Sequence, residues 1–133
     1  MIINDQYYKS AITSKVIKCA QIVHSRLGNG FQEVIYQRAL KMEFENMGID
    51  YEKEKEIAIY YNNLKIGGRR VDFLVDKDIM IELKAVTKLE DVHFAQAINY
   101  IEAYKVMICL LINFGSKSLE VRRFIKRKSA QSL

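Results

Sequence analysis

From Gly67 to Lys84 the chain twice alternates branched or aromatic residues with polar or charged ones. Val71, Phe73 and Val75 form one series, and Ile79, Ile81 and Leu83 the other. A period of two over this length specifies strands and excludes helix. Asp76-Lys77-Asp78 between the runs is turn chemistry. With the turn centred on Lys77, antiparallel pairing sets Asp72 across from Glu82 and Arg70 across from Lys84. Directly opposed residues hold their Cβ atoms about 4.5–5.5 Å apart, where two carboxylates repel. A divalent cation between them removes the conflict, because hard cations take carboxylate, water and phosphate oxygens. Lys84 lies on the same face, two residues beyond Glu82, within reach of a water or phosphate at that ion. The same three side chains also fit the solvated face of an ordinary one-sided sheet.

The chain before this hairpin reads as two helices and a strand. Ile12, Val16, Ala20, Val23 and Leu27 recur at helical spacing and predict a first helix from about Asp5 to Leu27. Gly28 supplies a stop, and Asn29 or Gly30 a cap for a second helix starting near Phe31 and ending near Met47-Gly48. Glu33 falls in the first turn of that helix, where it complements the dipole. It also shares a face with Tyr36, Gln37 and Leu40, and a glutamate turned inward needs a partner. Tyr51 to Tyr61 alternates and predicts one strand, charged in its first half. Asn62-Asn63 turns the chain, and Gly67-Gly68 marks a bulge, a bend or a close approach to a ligand.

After Lys84 a helix is expected from about Glu90 to Lys105. Ala95, Ile98 and Ile101 are expected to face the core, and His93, Gln96, Ala97, Tyr100 and Tyr104 to lie on a neighbouring face. The apolar run Val106–Ile112 predicts a strand buried on both faces, and Leu119–Ile125 predicts a last strand. A helix between the Glu82 and Val106 strands is a crossover, so those strands are expected to run parallel. The expected fold is α/β, with a central mixed sheet flanked by helices.

At 133 residues the chain has the size of one domain with its own core. That domain is expected to span residues 1–126, followed by a basic polar tail over 127–133. Cys19 and Cys109 sit in apolar patterns and read as buried thiols, not a disulfide or a zinc site. This usage, with no signal-peptide pattern at the amino terminus and no apolar run long enough to span a bilayer, leads us to expect a cytoplasmic location. A net charge of +5 favours a polyanionic partner. Arg122 and Arg123 contribute to it.

Asp72 followed by Glu82-Leu83-Lys84 resembles the Asp…(Asp/Glu)-x-Lys signature of the PD-(D/E)XK nuclease superfamily, with Val71 where its name has proline. Gly30-Phe31-Gln32-Glu33-Val34-Ile35-Tyr36 is similar to the motif that names the GxxExxY family within it. Gln96-Ala97-Ile98-Asn99-Tyr100 is similar to the Gln-x-x-x-Tyr motif of its recombination-exonuclease branch. The resemblance runs from about Leu27 to Phe124. It implies a restriction-endonuclease-like core and a Mg²⁺- or Mn²⁺-dependent nuclease, with DNA as the expected substrate. Asp72, Glu82 and the Leu83 carbonyl would bind metal, with Glu33 completing the shell or holding a second ion. Lys84 would orient the attacking water, and Gln96 and Tyr100 would meet the phosphodiester. Arg70, Arg122 and Arg123 are candidate nucleic-acid contacts, and a homodimer or partner protein is a further expectation. Two other classes fit the same residues: a nucleic-acid-binding module with a slow or vestigial site, and a protein-interaction module.

Overall fold

A computed structural model describes residues 8–104 and 106–126, so the 127–133 tail and the expected helix start at Asp5 lie outside the described residues. In chain order the elements are α1 (Ser10–Leu27), α2 (Glu33–Met47), β1 (Tyr51–Lys53), β2 (Glu56–Tyr61), β3 (Leu64–Arg70), β4 (Phe73–Val75), β5 (Ile79–Lys84), α3 (Asp91–Ala103), β6 (Ile108–Asn113) and β7 (Glu120–Ile125). Five strands make a mixed sheet in the order β1-β4-β5-β6-β7, while β2 and β3 form a separate two-stranded ribbon. The β4–β5 hairpin pairs Phe73 with Ile81, Leu74 with Met80 and Val75 with Ile79, so its turn is centred on Lys77. Asp76 and Lys77 take left-handed backbone there. β5 and β6 run parallel, as the α3 crossover requires.

The alternation sorts the sheet's side chains into two layers. Phe73, Val75, Ile79, Ile81, Leu83, Ile108, Leu110 and Ile112 meet α1 and α2 through Val16, Cys19, Ala20, Val23, Tyr36, Leu40 and Phe44. Leu74, Met80 and Cys109 face the other way, against Ala97, Ile101 and Tyr104 of α3 and its end. Both cysteines are free and buried. Gly48 ends α2 at φ 68°, and Ile49 N–H bonds back to the Phe44 carbonyl at 2.9 Å, which satisfies carbonyls the helix leaves open.

Three expectations need correction. The strand expected over Tyr51–Tyr61 breaks at Glu54, which takes φ 55°, and its halves enter different sheets. Alternation continues across the break because each half still has one inward face, so period alone does not reveal it. For the same reason Arg70 does not face Lys84: β3 belongs to the ribbon, and Arg70 pairs with Glu56. Finally, α3 is rotated from its expected setting. Ile101 is buried as expected, but Ala95 and Ile98 face solvent while Ala97, expected on the neighbouring face, is buried, because the small Ala97 lets the helix lie close to the sheet and the rings of Tyr100 and Tyr104 fill the space beside it.

Candidate active site

The seam between the two sheets positions Asp72. The chain crosses it twice, at Glu54-Lys55 and at Val71-Asp72, and the crossings are tied by Glu54 N–H to the Asp72 carbonyl (3.1 Å) and Val71 N–H to the Lys55 carbonyl (3.0 Å). Asp72 stands one residue before β4. Extending the hairpin register by one step brings it across from Glu82. Its Oδ2 accepts the Leu83 N–H at 2.8 Å and its Oδ1 a bond from Gln37 Nε2 at 3.3 Å. Burial raises the Asp72 pKa, opposed by the Leu83 N–H and by the charges of Arg69 and Lys84.

Glu82 is only 2% exposed. Its Oε2 pairs with the Arg69 guanidinium at 2.5 Å, while its Oε1 is buried without a hydrogen-bond partner. An unpartnered carboxylate oxygen in such a place costs free energy. Burial raises this pKa too, the bond from Arg69 lowers it, and the charge of Asp72 raises it further. Lys84 ends β5 half-buried and makes no ion pair among the described residues. Its positive charge acts on Asp72, Glu82 and Glu33 alike, so these four groups share one field.

Glu33 opens α2 and is exposed. Desolvation raises its pKa, Lys84 and Arg69 oppose, and Asp72 adds to the rise. With Gln37, Glu54, Arg70 and Asp72 it lines a cleft of about 310 Å³. Neither Asn29 nor Gly30 caps the helix: Gln32 holds the cap position without a side-chain bond. The Gly28–Phe31 link is instead tied by Tyr36, whose hydroxyl donates to the Gly28 carbonyl (2.5 Å) and accepts the Phe31 N–H (3.1 Å). The Tyr36 ring stacks on Phe114 with centroids 4.7 Å apart. The tyrosine of the Gly-x-x-Glu-x-x-Tyr stretch thus holds the loop that delivers Glu33.

Among the described residues no three His, Cys, Asp or Glu side chains converge as a ready-made metal cage. The arrangement offers a carboxylate pair with the Leu83 backbone beside it, and Mg²⁺, which keeps several waters, is commonly held by one or two carboxylates. The buried, unpartnered Glu82 Oε1 and the all-oxygen donor set fit such an ion.

Gln96 and Tyr100 of α3 border a narrow crevice with Glu82, Lys84, His93 and Leu111. The Arg69 guanidinium lies over the Tyr100 ring, 4.5 Å from its centroid, which fixes the arginine as it reaches Glu82. His93 closes the α3 cap by accepting the Glu90 N–H on Nδ1 at 2.9 Å. Its neighbour in type, His24, meets the Ser116 carbonyl at 3.0 Å, away from these groups. Arg122 lies in the same cross-sheet row as Glu82, through Leu111, two strands and about 10 Å away, with its guanidinium over Phe94. Arg123 bonds the Tyr8 carbonyl on the opposite face of β7, so the two arginines do not form one patch.

Sequence reasoning missed Arg69 and Asn113. Alternation singles out Arg70 and not Arg69 from the Arg69-Arg70 pair, because it does not reveal the seam that changes the facing. Asn113 is fully buried. Its Oδ1 accepts the N–H groups of Val86 and Gly115 at 3.0 Å each, and its Nδ2 donates to the Val86 carbonyl and Glu120 Oε1 at 2.9 Å each. It thereby holds the backbone that follows Lys84.

Burial holds the Asp72 carboxyl above the ordinary aspartate range. A carboxyl whose pKa is higher folded than unfolded makes the native state bind more protons between those two values, so its unfavourable contribution grows as pH rises through that window. Asp72→Asn keeps an oxygen for the Leu83 N–H and removes the buried charge. Without added metal this variant is expected to melt above wild type at neutral pH, with the gap closing as pH falls below the ordinary aspartate range. Thermal melts across pH check it, and an equal or lower melting temperature at neutral pH contradicts it.

Fold and site together define an α/β domain whose mixed sheet presents Asp72, Glu82 and Lys84 from one hairpin. The sequence profile of the PD-(D/E)XK nuclease superfamily matches residues 10–124, and the chain belongs to that superfamily. Its five-stranded mixed sheet with flanking helices is consistent with that nuclease core. The crystal structure of SSO0001 is similar over 88% of this chain and 68% of that one, with 15% identity and a TM-score of 0.48, a likeness too slight to inform the site. No curated protein matches the sequence significantly. Among the described residues no helix is long and apolar enough to cross a membrane.

Proposed function

We propose that this protein is a metal-dependent nuclease that hydrolyses phosphodiester bonds in DNA. The observation that carries the reading is the Glu82 Oε1: a buried carboxylate oxygen left without a protein partner, beside Asp72 and within the field of Lys84. Asp72, Glu82 and the Leu83 carbonyl would hold Mg²⁺ or Mn²⁺, with Glu33 at the margin of the set. Such an ion, when bound, supplies positive charge against the attacked phosphate and lowers the pKa of a coordinated water. The Lys84 ammonium orients the attacking water and stabilises charge that develops on the phosphate. Gln96 donates to a phosphate oxygen, Tyr100 holds Arg69 beside the site, and Arg70 and Arg122 meet the strand on either side. Gly30, Glu33 and Tyr36 support a place in the GxxExxY family. A second copy or a partner protein would extend the surface available to a duplex.

The Arg69–Glu82 pair favours a second reading, a DNA-binding module whose site its own arginine keeps closed. Incubation with linear, circular and single-stranded DNA across Mg²⁺ and Mn²⁺ separates the two. The nuclease reading expects cleavage that Asp72→Ala abolishes. Salt-sensitive binding without cleavage under any metal would support the second reading and overturn the first.

A further inference from the structure

The β2–β3 ribbon carries a feature that the proposed site does not use. Near its root Ile57 and Ile59 pack toward α3, on the face from which Arg69, the partner of Ile57, reaches Glu82. Between Ile59 and Tyr60 the register shifts, and beyond this bulge the outer half of the ribbon leaves the core. Tyr60 is 64% exposed, Tyr61 66%, Leu64 70% and Ile66 65%. Asn62 and Asn63 close the tip in left-handed backbone, the tight two-residue turn that suits a twisted hairpin. Tyr60 and Tyr61 are neighbours in a strand and present their rings on opposite faces of the arm, Tyr60 beside Lys65 and Tyr61 beside Leu64, and large apolar side chains exposed at the end of a two-stranded arm mark a binding surface.

Charge indicates what is bound. Between Lys55 and Arg70 the chain carries four cations against Glu56; Lys55 is paired with Glu52 and Arg69 with Glu82, which leaves Lys65 and Arg70 as the cations a phosphate can meet. Lys65 reaches Glu56 only at 4.0 Å, with both side chains more than half exposed, an ion pair that a phosphate can replace at little cost. A basic arm tipped with aromatic rings fits a nucleic-acid strand, since phosphates follow the cations and bases stack on the rings. Beside the arm, a groove of about 670 Å³ runs between Tyr60 and Leu74, Tyr104 and Val106, with Lys55 and Lys77 and the acids Glu52 and Glu56 also in its lining. From Leu64 to Arg70 the strand covers about 20 Å at the usual rise per residue, which places the tip several nucleotides from Asp72.

We infer that the β2–β3 ribbon is a strand-gripping arm whose tip tyrosines stack on unpaired bases of the substrate, several nucleotides from the cleaved bond. The inference rests on the nuclease reading for the identity of its substrate, and it is tested without cleavage. Anisotropy of labelled single-stranded DNA, measured in EDTA, is compared for wild type, the double variant Tyr60→Ala/Tyr61→Ala and the conservative Tyr60→Phe/Tyr61→Phe. Base–aromatic stacking of about 1–3 kcal/mol per base corresponds to a loss of about tenfold or more for the alanine pair. The phenylalanine pair is expected to retain wild-type affinity, and a fully paired blunt duplex to be much less affected.

Equal loss for single strand and duplex, or unchanged affinity for both, would overturn the inference. So would a second copy covering the arm, seen by light scattering as a wild-type dimer that the alanine pair converts to monomer without loss of DNA affinity. If wild type binds through the tyrosines but cleaves nothing with any metal, the nuclease reading fails and the arm stands. Cleavage that depends on Asp72 with no tyrosine effect gives the converse.

Discussion

Lys84→Ala is expected to stay folded, with a lower melting temperature at neutral pH because the buried carboxylates lose its charge, and to lose about 100- to 1,000-fold of its cleavage rate, the usual cost of removing one preorganised group that meets developing charge. The fold should survive because Lys84 makes no side-chain ion pair among the described residues. What holds that strand position is backbone: Phe114 N–H donates to the Lys84 carbonyl at 2.8 Å. Its charge acts on three carboxylates at once, so alanine leaves them facing one another with Arg69 as the nearest compensation. Lys84→Arg should not restore the rate, because a planar fork does not reproduce a compact ammonium. Single-turnover cleavage in Mg²⁺, alongside thermal melts, measures both halves. A folded Lys84→Ala protein with wild-type rate would remove lysine from the chemistry.

Gly115→Ala is expected to be the most destabilising small substitution near the site. A Cβ at Gly115 would stand 2.4 Å from the Ala85 carbonyl carbon, 2.4 Å from Val86 N and 2.5 Å from Val86 O. All three are backbone atoms, so no rotamer change relieves the overlap, and the strand end held by Asn113 must move. Overpacking against fixed structure costs about 1–3 kcal/mol and sometimes more. With main chain on the receiving side we expect at least about 3 kcal/mol, a fall of roughly 10 °C or more in melting temperature. Since Ala85 and Val86 follow Lys84 directly, the surviving folded fraction should also cleave more slowly. A melting temperature within a degree or two of wild type would show that this junction yields easily.

Much of this arrangement is legible in the chain because two local rules agree. Alternation through Phe73–Val75 and Ile79–Lys84, with a turn centre at Lys77, sets the register that brings Asp72 toward Glu82. The apolar run at Ile108–Ile112 and the intervening helix require a parallel neighbour. Gly28 and Gly48 stop their helices where a positive φ is needed. The rest depends on contacts that no period records. The seam at Glu54 and Asp72 divides one long alternating pair into two sheets, which moves Arg70 away from Lys84 and turns Arg69 toward Glu82. The facing of α3 was set by the fit of Ala97, Tyr100 and Tyr104 against the sheet, a matter of shape and not of hydropathy. Arg122 and Arg123 are adjacent in sequence and opposite in space for the simple reason that β7 is a strand.

The central claim is that Asp72 and Glu82 grip one divalent ion beside Lys84, and that Arg69 holds its place when no ion is there. A crystal soaked in Mn²⁺ and measured at the manganese absorption edge tests this directly. The account predicts one strong anomalous peak in contact with a carboxylate oxygen from each of Asp72 and Glu82, with Arg69 drawn away from Glu82. Full manganese occupancy elsewhere, with Arg69 still bonded to Glu82 and no peak between the two carboxylates, would contradict it.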